Sequence, residues 1–144
     1  MSSIVCAIDF SEPSDRALSH ALELGKRLGA KVIAVHAWQL PVYAVPDGVA
    51  VFGPEVVAEI TEGLQKQLGK TLESHRTEGV TLEGKLVAGA PVEAVLEVAK
   101  DARAEYVVIG THGRTGVARF VIGSVAERMV RLSTVPVVVV PTKR

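Results

Sequence analysis

A glycine-rich stretch in the last third of the chain has the residue types of an anion-binding site. It begins as Gly110-Thr-His-Gly113-Arg114 and continues, with nine residues between the two glycines, from Gly113 to Gly123-Ser124. Because glycine lacks a Cβ, successive backbone N–H groups in such a stretch approach an anion closely. Gly123-Ser124 leads into an amphipathic segment, and the free N–H groups of a helix start favour a phosphate. The stretch therefore predicts a phosphate site, with Arg114 as an available cation.

The same stretch has an interpretation without a ligand. Ser124 and Glu127 have the spacing of a capping box, in which the two side chains bind backbone N–H groups at the helix start. The P-loop pattern and G-x-G-x-x-G are both absent from the sequence. A helix dipole contributes only about 0.3–1 kcal/mol per charge, whereas micromolar affinity requires about 8 kcal/mol. A phosphate ligand would therefore need a cation and a second pocket, and both interpretations stay open.

Asp9 and His112 are the other candidates for chemistry. Asp9 follows an apolar run and either meets a ligand or caps the first helix, whereas His112 either steers a phosphate, acts as a base, or is structural. His36, at the end of an apolar run, is interpreted as a hydrogen-bonded core histidine, and no histidine pair has metal-ligand spacing. Cys6 is interpreted as a buried apolar residue and not as a redox thiol.

Apolar runs alternate with amphipathic segments along the whole chain and predict the order βαβαβαβαβ in one domain, residues 1–144. Strict alternation with continuous apolar strands predicts an α/β fold with a five-stranded parallel sheet and helices on both faces. The favoured strand order is 3-2-1-4-5. Ligands bind such sheets where the order reverses, here between the strands that end at Asp9 and Gly110. The predicted strands are residues 4–8, 31–37, 82–87, 106–109 and 136–140, and the predicted helices are residues 14–28 and segments beginning near 54, 91 and 124.

Two apolar segments lie outside this pattern. Residues 38–53 are interpreted as a long loop that either folds over a ligand or covers a sheet edge. The last strand, Val137–Val140, is expected at an edge of the sheet, where an uncovered apolar strand favours pairing with a second copy.

Composition excludes several classes of protein. Of the 144 residues 48% are hydrophobic, which argues against disorder. Sixteen basic and sixteen acidic side chains leave no net charge, so nonspecific nucleic-acid binding is not expected. No run approaches the roughly 20 apolar residues of a membrane span, and the first residues have no basic region. With a single cysteine, these features predict a soluble cytoplasmic protein without a membrane partner.

The spacing G-x-x-G, nine residues, then G-[ST] resembles the signature of the universal stress protein family. Ile8-Asp9-Phe10-Ser11-Glu12 and the closing run Val-Pro-Val-Val-Val-Val-Pro are also similar to this family, so the resemblance covers essentially the whole chain. It implies the ATP-binding branch of the family and a Rossmann-like fold of the adenine nucleotide alpha hydrolase type. It further implies binding of ATP, with or without Mg²⁺, a homodimer joined through Val137–Val140, and a regulatory role in stress adaptation.

The resemblance also implies which residues contact the nucleotide. By role they are Ala7, Ile8 and Ala37 beside the adenine, Asp9 at the ribose or a metal-bound phosphate, Ile109 and Gly110 under the sugar, Gly113, Gly123, Ser124 and Val125 at the phosphates through backbone N–H groups and the serine hydroxyl, and Arg114 near the terminal phosphate. His112 and Ala126, in the same stretch, complete the predicted nucleotide-binding residues. Some ATP-binding relatives carry a hydroxyl residue where Ala126 stands here, so one phosphate contact is missing.

Three functions remain open on the sequence. The first is a dimeric ATP-binding module without efficient catalysis. The second is a slow ATPase or phosphotransferase that uses Asp9 and His112, although the chain shows no dense catalytic cluster. The third is a nucleotide-free interaction protein that uses the apolar segment 38–53 and the edge strand.

Overall fold

The computed structural model of the chain describes residues 2–40, 42–112 and 122–142. Over these ranges, no helix is both long enough and apolar enough to cross a membrane. Apart from segment 38–53, the predicted elements are present, and the element ends given above agree with the structure within two residues. In chain order the elements are β1 (Ser3–Ala7), α1 (Glu12–Leu28), β2 (Lys31–Trp38), β3 (Val42–Val45), β4 (Gly48–Val51), α2 (Pro54–His75), β5 (Leu82–Ala88), α3 (Pro91–Asp101), β6 (Tyr106–Gly110), α4 (Ser124–Leu132) and β7 (Val137–Val140).

Five of the strands form one parallel sheet in the order β5-β2-β1-β6-β7. When β3 and β4 are left out of the count, this order is the predicted 3-2-1-4-5, so the fold prediction is confirmed. The order reverses between β1 and β6, which pair with each other from Ile4 opposite Tyr106 to Cys6 opposite Val108. A crevice therefore forms beyond the carboxyl ends of these two strands.

The core is divided between the two faces of the sheet because successive side chains of a strand point to opposite sides. On one face Ile4 and Cys6 pack against Leu18 of α1. On the other face Val5 packs in a cluster with Met129 of α4. Burial raises the pKa of the Cys6 thiol above its usual range, so the thiol stays protonated. The interpretation of Cys6 as a buried apolar residue is confirmed.

The segment predicted as a long loop contains a β-hairpin, so that prediction is wrong. Strands β3 and β4 pair antiparallel from Val42 opposite Val51 to Val45 opposite Gly48. The turn between them consists of Pro46 and Asp47, two residue types that are common in turns. The short valine-containing runs on both sides of this turn are a local hairpin signal.

Candidate functional site

A cavity of about 360 Å³ opens at the carboxyl ends of β1 and β6, where the strand order reverses. The described walls of this switch-point cavity come from the ends of β1 and β2, from α1 and α3, and from the connection between β6 and α4. Its lining residues are Ala7, Ile8, Asp9, Ser14, Val35, Ala37, Pro91, Val95, Ile109, Gly110, Thr111, His112, Gly123, Ser124, Val125 and Ala126.

The structure brings together the predicted site residues that it describes, although they are up to 119 positions apart in the chain (Ala7 to Ala126). Around the switch-point cavity lie Ala7, Ile8, Asp9, Ala37, Ile109, Gly110, His112, Gly123, Ser124, Val125 and Ala126. Gly113 and Arg114 lie outside the described residues. The contacts that each residue makes with a nucleotide stay predictions.

Sequence reasoning missed five of the lining residues, which are Ser14, Val35, Pro91, Val95 and Thr111. Two of them carried a usable signal. Val35 stands two positions before Ala37 on one strand, and residues two apart share a face of the sheet. Thr111 lies inside the glycine-rich stretch itself. The two residues of α3 carried no local signal, because only the packing of α3 on the sheet brings them to the cavity.

One end of the switch-point cavity is apolar. Ala7, Val35 and Ala37 of the neighbouring strands β1 and β2 line it, together with Val95 of α3 and Ile109 of β6. The two alanines are small, and they leave space at the strand ends that larger side chains would occupy. This end of the cavity is therefore suited to a flat apolar group, such as an aromatic ring.

The other end is formed by the start of α4, which has no side-chain cap. Gly123 is the N-cap residue, and within the described part of the chain no side-chain hydrogen bond caps the helix start. The carbonyl of Gly123 accepts from the N–H of Glu127 at 3.0 Å. Within the described residues, the N–H groups of Ser124, Val125 and Ala126 have no acceptor. These free donors and the positive end of the helix dipole favour an anion.

The capping-box interpretation of Ser124 and Glu127 is therefore wrong. A capping box requires serine at the N-cap position, from which its hydroxyl accepts a bond from a later N–H. In the structure Ser124 is the first helical residue, and Gly123 occupies the cap. Because glycine has no side chain, the helix start depends on another group to satisfy its N–H donors.

Gly123 joins the start of α4 closely to the end of β6. Its own N–H donates to the carbonyl of Thr111 at 2.7 Å. A Cβ added to Gly123 would lie 2.8 Å from that same carbonyl oxygen, closer than side chains approach backbone. The N–H of Gly123 is thus already engaged within the protein. Gly123 therefore positions the start of α4, and the nucleotide contact implied for it stays a prediction.

Asp9 is held in a tight turn between β1 and α1. Its Oδ1 accepts hydrogen bonds from both the backbone N–H, at 3.0 Å, and the hydroxyl of Ser11. The N-cap of α1 is Ser11, which accepts from the N–H of Ser14 at 3.3 Å, so the alternative of Asp9 as the helix cap is wrong. Between them Phe10 has a positive φ of 65°. Strain of this kind costs about 1–3 kcal/mol and concentrates at functional sites.

Two histidines near the strand ends differ in their hydrogen bonding. His36 Nδ1 lies 2.9 Å from the carbonyl oxygen of Ile8, which confirms the interpretation of a hydrogen-bonded histidine, although the residue is only half-buried. His112 is 5% exposed and lines the switch-point cavity. Its Nδ1 lies 3.2 Å from the hydroxyl oxygen of Thr111. Its Nε2 is buried and has no hydrogen-bond partner among the residues that the structure describes.

The described residues contain no group of three or more histidine, cysteine or acidic side chains that could hold a metal ion. Asp9 is the carboxylate among the described lining residues of the cavity. Magnesium is commonly bound by one or two carboxylates together with the phosphates of a substrate. This donor set fits a cation that arrives with a phosphate ligand.

Residues 1–141 match the family model described as the universal stress protein family. The chain belongs to this family. The match covers the two strand ends, the glycine-rich stretch and the last strand, so the whole cavity lies within it. The family resemblance inferred from the glycine spacing is confirmed.

Curated relatives of this universal stress protein occur in archaea and bacteria. A universal stress protein of Methanocaldococcus jannaschii is 32% identical over 139 residues, a match that covers 95% of this chain and 80% of the relative. A universal stress protein of Bacillus subtilis is 29% identical, and the match covers 95% of this chain and 97% of the relative. One of Mycolicibacterium smegmatis is 32% identical, but the chain spans only 45% of that relative.

Solved structures share the fold over almost the full chain. A universal stress protein in complex with cAMP is 26% identical, with a TM-score of 0.73 and coverage of 99% of this chain and 98% of that one. The universal stress protein of Archaeoglobus fulgidus in complex with dAMP is 25% identical, with a TM-score of 0.65 and coverage of 96% and 97%. The strand order and the similarity to these solved structures independently establish the fold class of the chain.

Proposed function

We propose that this universal stress protein binds an adenine nucleotide, ATP in the first place, in the switch-point cavity. The observation that carries the proposal is the pairing of an apolar pocket with an uncapped helix start in one cavity. An adenine ring requires the apolar pocket, and a phosphate chain requires the uncapped helix start. Neither feature alone would suffice, because a helix start contributes too little free energy by itself.

In this proposal the adenine lies at the apolar end, between the ends of β1 and β2. The ribose lies near Asp9, whose carboxylate accepts hydrogen bonds from sugar hydroxyls. The phosphates lie at the start of α4, where the N–H groups of Ser124, Val125 and Ala126 donate to them. The cavity volume of about 360 Å³ is within the range of about 300–1,000 Å³ typical of small-molecule sites.

Solved structures of relatives support an adenine nucleotide over other phosphate ligands. Relatives of known structure hold cAMP and dAMP, which share the adenine and differ in their phosphates. The choice of ATP follows from the sequence resemblance, with Arg114 proposed near the terminal phosphate and Mg²⁺ proposed to arrive bound to the phosphates and Asp9. We propose the cytoplasm as the setting, since a lone buried cysteine suits a reducing compartment.

The test of this proposal is isothermal titration of the purified full chain with ATP, AMP, adenosine and GTP, with and without Mg²⁺. We expect micromolar or tighter binding of ATP, and weaker binding of GTP, whose base has a different hydrogen-bonding edge. Mass spectrometry of the small molecules released by denaturing the purified protein identifies the ligand acquired in the cell. Flat titrations with all four compounds, together with no released nucleotide, would overturn the proposal.

We also propose a homodimer joined along β7. This strand lies at one edge of the sheet and presents four consecutive valines, Val137–Val140. The carbonyl of Pro136 accepts a hydrogen bond from the N–H of Val107 in β6, and that of Val140 accepts from the N–H of Thr111, just after β6. Since backbone groups alternate in direction along a strand, those of Val137 and Val139 face the free edge. A second copy pairing there would satisfy them.

Substitution of Val139 by proline is expected to convert the dimer into a monomer. Proline removes the N–H that faces the free edge and leaves the bonds between β6 and β7 in place. The matched control is Val139→Thr, which keeps both the N–H and the branched side chain and is expected to stay dimeric. Sedimentation velocity at micromolar concentration measures the difference. A wild type that sediments as a monomer, or a dimer that survives Val139→Pro, would contradict the edge interface.

A further inference from the structure

His36, near the end of β2, contacts both residues that flank Asp9 in the chain. Its Nδ1 lies 2.9 Å from the carbonyl oxygen of Ile8. Its ring packs against the ring of Phe10, with the centroids 4.4 Å apart and the planes tilted by 39°. One side chain of β2 therefore holds the turn between β1 and α1 at two points, one on each side of Asp9.

The direction of the bond between His36 and Ile8 follows from its partners. A carbonyl oxygen only accepts, so Nδ1 of the ring carries the hydrogen and donates it. The imidazolium form also carries a hydrogen on Nδ1, so the bond is available in both charge states of the ring.

The imidazole takes the place of a backbone donor at this point. The parallel pairing of β1 and β2 ends with Ala7 opposite Val35, and one further bond runs from the N–H of Ile8 to the carbonyl of Val35 at 2.9 Å. The next bond of a regular ladder would run from the N–H of Ala37 to the carbonyl of Ile8, and it is absent among the described backbone bonds. The His36 side chain satisfies that carbonyl, so the chain leaves the sheet without an unpaired group.

His36 acts on the turn from outside the switch-point cavity. Val35 and Ala37 line the cavity, whereas His36 is not among its lining residues. Since successive side chains of a strand point to opposite faces, His36 points to the face on which Ala34 packs in a cluster with Leu18 of α1. Any effect of His36 on a ligand is therefore transmitted through the turn.

The turn needs such support because of its backbone. Phe10 has a φ of 65°, a conformation that persists only where the surrounding structure holds it. From the helix side, Ser11 donates its N–H to Oδ1 of Asp9 at 3.0 Å. From the sheet side, the contacts with His36 supply the restraint.

We propose that His36 is a positioning residue that fixes the turn of residues 8–10, so that the Asp9 carboxylate meets the ribose hydroxyls of the nucleotide. The Nδ1–H of His36 orients the peptide before Asp9, and its ring holds Phe10 after it. This inference rests on the proposed function and adds a residue that touches no part of the ligand.

The test compares ATP with 2′,3′-dideoxy-ATP, which lacks both ribose hydroxyls, by isothermal titration of the full chain. The wild type is expected to bind ATP about ten- to a hundredfold more tightly, as expected for hydrogen bonds to a charged carboxylate. His36→Phe keeps a flat ring beside Phe10 and removes the Nδ1 donor. It should reduce the preference to less than about threefold and change the affinity for the dideoxy compound less than about twofold. A general loss of structure would weaken both ligands together.

Two further variants test the donor itself. His36→Asn places an amide N–H close to the position of Nδ1 and should restore most of the preference for ATP. The control is His75→Phe, because Nδ1 of His75 lies 2.8 Å from the carbonyl oxygen of Thr71 inside α2. Its Nε2 also lies 4.0 Å from the carboxylate of Asp15. Neither contact involves residues 8–10, so this control should keep the wild-type preference.

The ligand-free protein provides a readout that does not depend on nucleotide binding. In the wild type, the ¹⁵N shifts of the His36 ring should show a protonated Nδ1. Hydrogen exchange of the Ser11 amide, which donates to Asp9, should be about tenfold faster in His36→Phe than in the wild type, as expected when a restraint on the turn is lost. His36→Asn should exchange at close to the wild-type rate.

The outcomes separate this inference from the proposed function. If the wild type prefers ATP and folded His36→Phe keeps that preference, or weakens both ligands equally, the positioning role is wrong and nucleotide binding stands. An unprotonated Nδ1 in the wild type overturns the role even where His36→Phe does not fold. If the wild type binds no adenine compound, the proposed function fails, and the exchange of the Ser11 amide still decides whether His36 holds the turn.

Discussion

Replacement of Gly123 by alanine is expected to weaken ATP binding by at least about a hundredfold. The new Cβ would lie 2.8 Å from the carbonyl oxygen of Thr111, a backbone atom that a rotamer change cannot move. The start of α4 must therefore move away from the end of β6, and the free N–H groups move with it. Hydrogen bonds to charged groups contribute about 1.5–3 kcal/mol each, so misplacement of two of them accounts for the loss. Isothermal titration with ATP measures it.

The matched control for this prediction is Gly53→Ala. Gly53 is the N-cap of α2, and its backbone angles, φ −67° and ψ 166°, resemble those of Gly123, φ −61° and ψ 157°. A Cβ at Gly53 meets nothing within 4 Å. Neither glycine has a positive φ, so the backbone tolerates alanine at both positions. The two substitutions differ only in whether the new Cβ meets another atom. Retention of wild-type affinity by Gly123→Ala would show that the helix start does not hold the phosphates.

Substitution of Leu18 by alanine is expected to lower the free energy of unfolding by about 3 kcal/mol, within the range of 2–5 kcal/mol for fully buried leucines. Leu18 is 0% exposed and packs with Ile4 and Val108 between α1 and the two central strands. The loss combines the hydrophobic transfer free energy with the cavity that remains. Because the same helix carries Ser11 and the Asp9 turn at its beginning, its docking also supports the site. Urea denaturation of the ligand-free protein measures the change.

Leu28→Ala provides the comparison on the same helix. Leu28 is 45% exposed and closes the last turn of α1. Its truncation is expected to change the free energy of unfolding by less than about 1 kcal/mol, since surface changes away from special features are small. Equal effects for the two leucines would contradict the packing of α1 on the sheet as described.

Much of the candidate site was predictable because the fold brings strand ends together by a rule. Asp9 and Gly110 follow two apolar runs, and parallel strands end at the same edge of their sheet. The position of Ala37 in the cavity is predictable in the same way, because it lies near the carboxyl end of the adjacent strand β2. Pro91 and Val95 were not predictable, because their place in the cavity depends on how α3 lies across the sheet. No residue near them in the sequence encodes that angle.

The hairpin of β3 and β4 shows a different kind of error. Its valine alternation and its Pro-Asp-Gly turn are local signals, and they were present in the sequence. The βαβ pattern, however, predicts a helix after β2, and it favours a loop over a hairpin for residues 38–53, which connect β2 to that helix. The hairpin forms from pairing between neighbouring residues and does not depend on the parallel sheet.

The sequence by itself determined the alternation of strands and helices, the parallel sheet and the edge at which the candidate site lies, because the spacing of apolar residues decides which faces must be buried. Only the tertiary structure decided which polar groups at that edge are free. Ser124 has the spacing of a cap but begins the helix instead, the N–H of Gly123 donates to the carbonyl of Thr111, and Nε2 of His112 has no partner among the described residues. The physical reason is that a hydrogen bond forms only when donor and acceptor are placed to within a few tenths of an ångström, and this placement is set by how the completed elements pack.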